Sequence, residues 1–93
     1  MIKITEDQIR SVRSLRIIDR FEAMLDVSSE LLAIPEKDWG AEYLSLASAA
    51  MEELHGLRYL MASNKATDRG EYDKQLETAW KALRDRVASR GPA

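Results

Sequence analysis

Cysteine does not occur in this chain of 93 residues, so disulfide frameworks, thiolate metal sites and thiol nucleophiles are excluded. Histidine occurs once, as His55. Serine or threonine hydrolysis needs a histidine base with an orienting acid, and no nucleophile stands at a recognisable spacing from His55. There is no glycine-rich phosphate loop and no nucleotide fingerprint. Charge of one sign is lacking too: 14 Lys and Arg against 16 Asp and Glu give a net charge of -2, no field to attract nucleic acid or to imitate it. The opening run MIKITEDQIR carries charges at once, without an apolar leader, and no run is long enough to span a membrane. A cytoplasmic protein is expected.

What is present is an ordinary globular balance, 45% hydrophobic and 32% charged residues. The length is that of one domain, residues 1–93, and a chain this short buries only roughly 60 to 65% of its unfolded surface, so further burial against a partner would matter.

Caps and periodicity predict an all-α fold, a three-helix domain with a long N-terminal helix, a helical hairpin and a C-terminal helix. Thr5 with Gln8 forms a capping-box pattern, with Ile4 and Ile9 placed as a hydrophobic staple. No Gly or Pro follows until Pro35, so the first helix is expected over about residues 6–33. Asp38 is the N-cap candidate for a second helix over about 39–63, with Asn64 as its C-cap. Within it, Tyr43, Ala47, Ala50, Leu54, Leu57 and Met61 recur in a heptad seam. Asp68 with Glu71 opens a third helix over about 69–89, whose stripe is Tyr72, Leu76, Ala79 or Trp80, Leu83 and Val87. Residues 90–93 form a tail.

The first helix has more apolar surface than one neighbour can cover. Leu15, Ile18, Phe21, Leu25 and Leu32 fall on one stripe, with Ile17, Met24 and Leu31 on an adjoining one, so the apolar arc approaches about 200°. Such a helix either breaks within Asp26 to Ser29 or is covered by a second copy. The absence of Gly and Pro there favours the second copy. A homodimer is therefore expected, with Ile17, Met24 and Leu31 at its interface.

Two side chains on the second helix suggest metal chemistry. Glu52 and His55 stand at i and i+3 and so project side by side, and Glu22 falls inside the apolar arc of the first helix, where an unpartnered carboxylate is costly. A hairpin with Glu on one helix and Glu-x-x-His on the next resembles the half-site of the encapsulated ferritins, small helical proteins that complete an iron centre on dimerising. That resemblance covers about residues 13–61 and implies iron, with Glu22, Glu52 and His55 as its ligands. The run HGLR also resembles the His-x-Leu-Lys pattern of histidine phosphotransfer domains, although Tyr59 occupies the place of their glycine. Glu52 and Glu53 together read as a solvated helix face.

Two further surfaces read as places for a partner. Arg10, Arg13, Arg16 and Arg20 form a row along the first helix that suits an acidic protein surface, while Asp19, Glu22, Asp26 and Glu30 run beside it and allow intrahelical pairing. No aromatic residue interleaves with the arginines, so nucleic acid is not the expected partner. Ser45, Ser48, Ala49, Glu52, His55, Gly56 and Ala62 give the second helix a small-residue face suited to close approach at Gly56, with His55 as a polar member. The expected function is non-catalytic: a small cytoplasmic protein that binds another protein as a regulator or inhibitor, similar in scale to bacterial anti-activators and phage-encoded inhibitors of host systems. The alternative is a dimeric ferritin-like iron-binding protein.

Overall fold

The N-terminal capping box forms as its residues predict. Gln8 donates its backbone N–H to Thr5 Oγ1 at 3.2 Å, and Thr5 donates its own to Gln8 Oε1 at 3.0 Å. In the computed structural model, which describes residues 3–63 and 69–90, this cap opens α1 (Glu6–Arg10).

The helix does not run on to Ala33. It tightens into a 3-10 turn (Ser11–Ser14), passes through extended backbone at Leu15 and Arg16 (ψ 159° and 156°), and restarts as α2 (Ile17–Ala33). Two serines explain the tightening: Ser11 Oγ donates to the Gln8 carbonyl at 2.7 Å and Ser14 Oγ to the Ser11 carbonyl at 2.9 Å, local bonds that compete with continued helix. The break also lets the first segment fold back onto α3, where Ile9 and Val12 are buried. No break occurs within Asp26 to Ser29, where Ser28 Oγ bonds the Met24 carbonyl inside the helix at 2.8 Å.

Extended backbone at Ile34 ends α2 before Pro35, followed by a 3-10 turn (Glu36–Asp38) and then α3 (Ala41–Ser63). The turn is locked from within. Trp39 Nε1 donates to the Ile34 carbonyl at 3.1 Å, its ring stacks on Tyr43 at 4.3 Å, and the Tyr43 hydroxyl donates to the Leu31 carbonyl at 2.8 Å. Burial pushes the Tyr43 phenol up, so it remains a donor at neutral pH. All six residues of the predicted seam, Tyr43 to Met61, are buried.

The last helix is α4 (Arg69–Arg90), with Leu76, Ala79 and Leu83 in the core and Tyr72, Trp80 and Val87 packed at its margin. The predicted caps at Asn64 and Asp68 and residues 91–93 of the predicted tail lie outside the described residues. Tyr43 meets Leu31 and Glu53 meets Arg20, so α2 and α3 are antiparallel; Phe21 packs edge-on to Tyr72 at 4.7 Å and Arg86 donates to the Ile34 carbonyl at 3.3 Å, so α4 runs parallel to α2. Four α-helices and no strand occur among the described residues, and none of these helices is long and apolar enough to cross a membrane.

The rotational setting of α2 differs from the expected one. Met24 and Leu31 are 0% exposed within the single chain and Ile17 is partly buried against the same core, whereas Leu15 and Ile18 are each 44% exposed. Once the break frees α2 from the phase of α1, the stripe turned toward α3 is the one holding Met24 and Leu31. Of the residues expected at a dimer interface, the fold of the single chain itself covers Met24 and Leu31 completely and Ile17 in part.

Candidate functional site

Leu46, Ala50, Glu53 and Leu57 follow one another at 4, 3, 4 spacing on the buried side of α3, and this puts the carboxylate of Glu53 inside the protein at 1% exposure. An uncompensated charge there would be very costly. Arg13 answers it from the 3-10 turn, with Nε 3.0 and 2.9 Å from the two carboxylate oxygens and Nη2 2.6 Å from Oε2. Arg20 reaches it from α2, Nη2 to Oε1 at 3.4 Å, and Arg10 from α1, Nη1 to Oε2 at 3.5 Å. Arg10 also binds Glu52 at 3.0 Å and Glu6 at 3.1 Å. Three arginines from three consecutive elements thus converge on one acid of α3.

The hydrogen bonds raise the arginine pKa values, that of Arg13 through Glu53 and that of Arg10 through Glu52 and then Glu6. Arg20 is the most enclosed of the three: it is 9% exposed, and its Nε is buried without an acceptor among the described residues. Its guanidinium lies over Gly56, where an added Cβ would stand 3.8 Å from Nη2.

The arginine row is engaged from within. Arg10, Arg13 and Arg20 bind carboxylates of the same chain and hold the N-terminal segment to α3, with Arg20 buried and Arg10 and Arg13 partly exposed. Arg16 alone stands exposed with no ion pair among the described residues. The pair Glu52 and Glu53 is likewise not one solvated face, because only Glu52 is exposed. Gly56 sits beside Arg20 of the same chain.

The proposed metal ligands are not gathered. Glu22 is exposed on the outer side of α2, Glu52 is engaged by Arg10, and His55 is exposed beside Met51 and Trp80 in a shallow surface depression. No group of three or more His, Asp or Glu side chains placed to hold a metal ion occurs among the described residues. Glu22 escapes the apolar arc for the same reason that Ile18 does: the rotational setting of α2 turns that side outward.

What the frame leaves open is the outer flank of α2. Ile18, Leu25 and Leu32 recur every seven residues there, Ile18 exposed and the other two half-buried. Leu25 and Leu32 face Ala79 and Ala82 of α4 across a groove of about 400 Å³, with Gln75 and Thr78 on its α4 rim. Tyr59 and Leu60, near the end of α3, are also exposed, Tyr59 by 73%. Sequence reasoning misses Glu53 and this groove. The available signals are an acid at a seam position, Glu53, and the seven-residue recurrence of Ile18, Leu25 and Leu32. No protein family, curated protein or solved structure matches the chain.

Proposed function

We propose that this chain is a non-catalytic cytoplasmic binding module, a regulator or inhibitor that acts by docking onto another protein. One observation carries the reading: large apolar side chains stand in water on a frame that has folded its other apolar residues inward. Leu15 and Ile18, 44% exposed, flank the break before α2, and the antiparallel course of α3 brings Tyr59 and Leu60 to the same end of the molecule. Scattered apolar residues are ordinary on a surface, but the stripe of Ile18, Leu25 and Leu32 leads into a groove, which fits a recognition face.

Photo-cross-linking in the cells that express the chain tests this. Benzoylphenylalanine placed singly at Ile18, Tyr59 or Thr78 is expected to give adducts of defined mass, and at Lys37 or Glu42, on the far end, to give none. If no position yields a discrete adduct, the binding-module reading fails.

A further inference from the structure

The charges of α2 are divided between two sides, and the division leads to a partner of definite chemistry. Asp19, Glu22, Asp26 and Glu30 occupy an arc of about 80° at 100° per residue, next to the arc of about 40° that holds Ile18, Leu25 and Leu32. All four acids are exposed. Arg10, Arg13 and Arg20 are taken by Glu53, Glu52 and Glu6, Arg16 stands exposed, and none of the four acids makes an ion pair among the described residues. An apolar stripe therefore runs beside an unneutralised acidic one. On the opposite rim of the groove, Glu71 accepts from Gln75 at 3.0 Å and Lys74 stands exposed.

Resting on the protein-binding reading above, we infer that the groove between α2 and α4 takes an amphipathic helix of a partner protein, apolar on the face that enters the groove and lysine- or arginine-bearing on the flank toward Glu22 and Asp26. From Ile18 to Leu32 the stripe spans about 21 Å at 1.5 Å per residue, the length of a helix of about four turns. A groove between two parallel helices admits a third by meshing side chains, with anchors at i, i+3, i+4 and i+7. A second copy fits less well, because symmetric pairing through this stripe would bring two sets of four carboxylates together with one lysine, Lys74, on the far rim of each groove to set against them. A basic flank neutralises the same acids and lends the encounter electrostatic steering.

The probe is a fluorescein-labelled peptide of about 18 residues built from leucine and lysine, with leucine on one helical face. Its controls are a scrambled peptide of the same composition and a leucine–glutamate version. Anisotropy is expected to give saturable binding of the patterned basic peptide alone, weakening as salt is added. Amide signals of Leu25, Ser29, Gln75 and Ala82 should shift on titration. Reversing Glu22 and Asp26 together to Lys, at exposed positions, is expected to weaken binding about tenfold or more. Thr78→Trp, which fills the groove from an exposed position, should do the same, with circular dichroism unchanged in both variants. Equal binding of the scrambled or acidic peptide, or undiminished binding by the charge-reversed variant, overturns the proposal. So does a sedimentation profile in which the unmodified chain is a dimer and Thr78→Trp makes it a monomer, for a second copy then fills the groove. Loss of the groove proposal with adducts retained at Tyr59 leaves the binding-module reading standing, whereas absence of adducts everywhere removes both.

Discussion

α3 carries two arginine–carboxylate clusters with the same chemistry and opposite settings. Toward α1 and α2, Glu53 is enclosed at 1% exposure by Arg10, Arg13 and Arg20. Toward α4, Arg58 donates to Asp73 at 2.8 and 3.1 Å and to Glu77 at 3.1 Å, and Lys81 adds a bond to Glu77 at 2.9 Å, with both acids more than 40% exposed. Solvent already satisfies the second cluster, so forming it gains little. In the first, the Glu53 carboxylate and the Arg20 guanidinium are out of water while Arg10 and Arg13 reach in from the surface, so the buried acid depends on these partners and sets where the N-terminal segment docks. Depth, and not bond count, separates the structural cluster from the incidental one.

The sharpest way to break the comparison is Glu53→Ala. It strands Arg20 in the interior, and a loss of roughly 3–5 kcal/mol is expected from urea unfolding, a large part of a small domain's stability. Replacing Glu53 and Arg20 together with Met should recover much of that loss, because a buried pair is often no better than well-packed apolar residues. A loss of less than about 1 kcal/mol for Glu53→Ala would put Glu53 on the same footing as the α4 cluster.

A smaller and divided effect is expected within the arginine row. Arg13→Glu sets a second carboxylate against Glu53 and should lower the melting temperature clearly. Arg16→Glu, at an exposed position without a partner among the described residues, should leave it unchanged. Equal responses would mean that the row acts as one surface after all.

Gly56→Ala comes next. Glycine inside a helix costs about 0.5–1 kcal/mol relative to alanine, and the new methyl group would meet Arg20 Nη2 at an ordinary 3.8 Å. A gain of that order in thermal unfolding is expected. Destabilisation would mean that the guanidinium needs the empty space.

The smallest effect is acid sensitivity of the α4 cluster. Arg58 holds Asp73 below the usual carboxylate range, and Lys81 does so for Glu77. A carboxylate with a lowered native pKa stabilises the fold above its unfolded value, near about pH 4, and loses that contribution as pH falls through the native value. Arg58→Ala should remove a small contribution that is present at pH 7 and make no difference once the carboxyls are protonated, so that melting measured between about pH 7 and pH 2.5 shows the two proteins converging through the acid window.

The helices that strict periodicity describes are legible in the residues alone. The Tyr43 to Met61 seam and the α4 stripe are buried where their spacing puts them, and Thr5 caps α1. The break at Leu15 and Arg16 is not legible in that way, because neither glycine nor proline marks it. Two serine hydroxyls and the docking of Ile9 and Val12 on α3 produce it, and the second of these is a tertiary effect. The misplaced phase of α2 follows from that single omission. It exchanges the stripe of Met24 and Leu31 with that of Ile18, Leu25 and Leu32, and carries Glu22 across with them. Glu53 is hidden by a general rule: acids on helices are usually wet, and only the arginines converging from elsewhere make a buried one tolerable.

Leu15 and Arg16 also interrupt the ladder of helical hydrogen bonds, so fraying at the N-terminus stops before α2. Residues 3–16 become a separate opening unit, with Ile9, Val12 and the Glu53 cluster as its attachment. Opening of such a unit takes less free energy than unfolding the whole chain. Under native conditions, deuterium should therefore enter the amides of α1 together and early, while those around Met24, Leu54 and Leu83 wait for global unfolding. The protein keeps two clocks, and the extended pair of residues between α1 and α2 is what uncouples them.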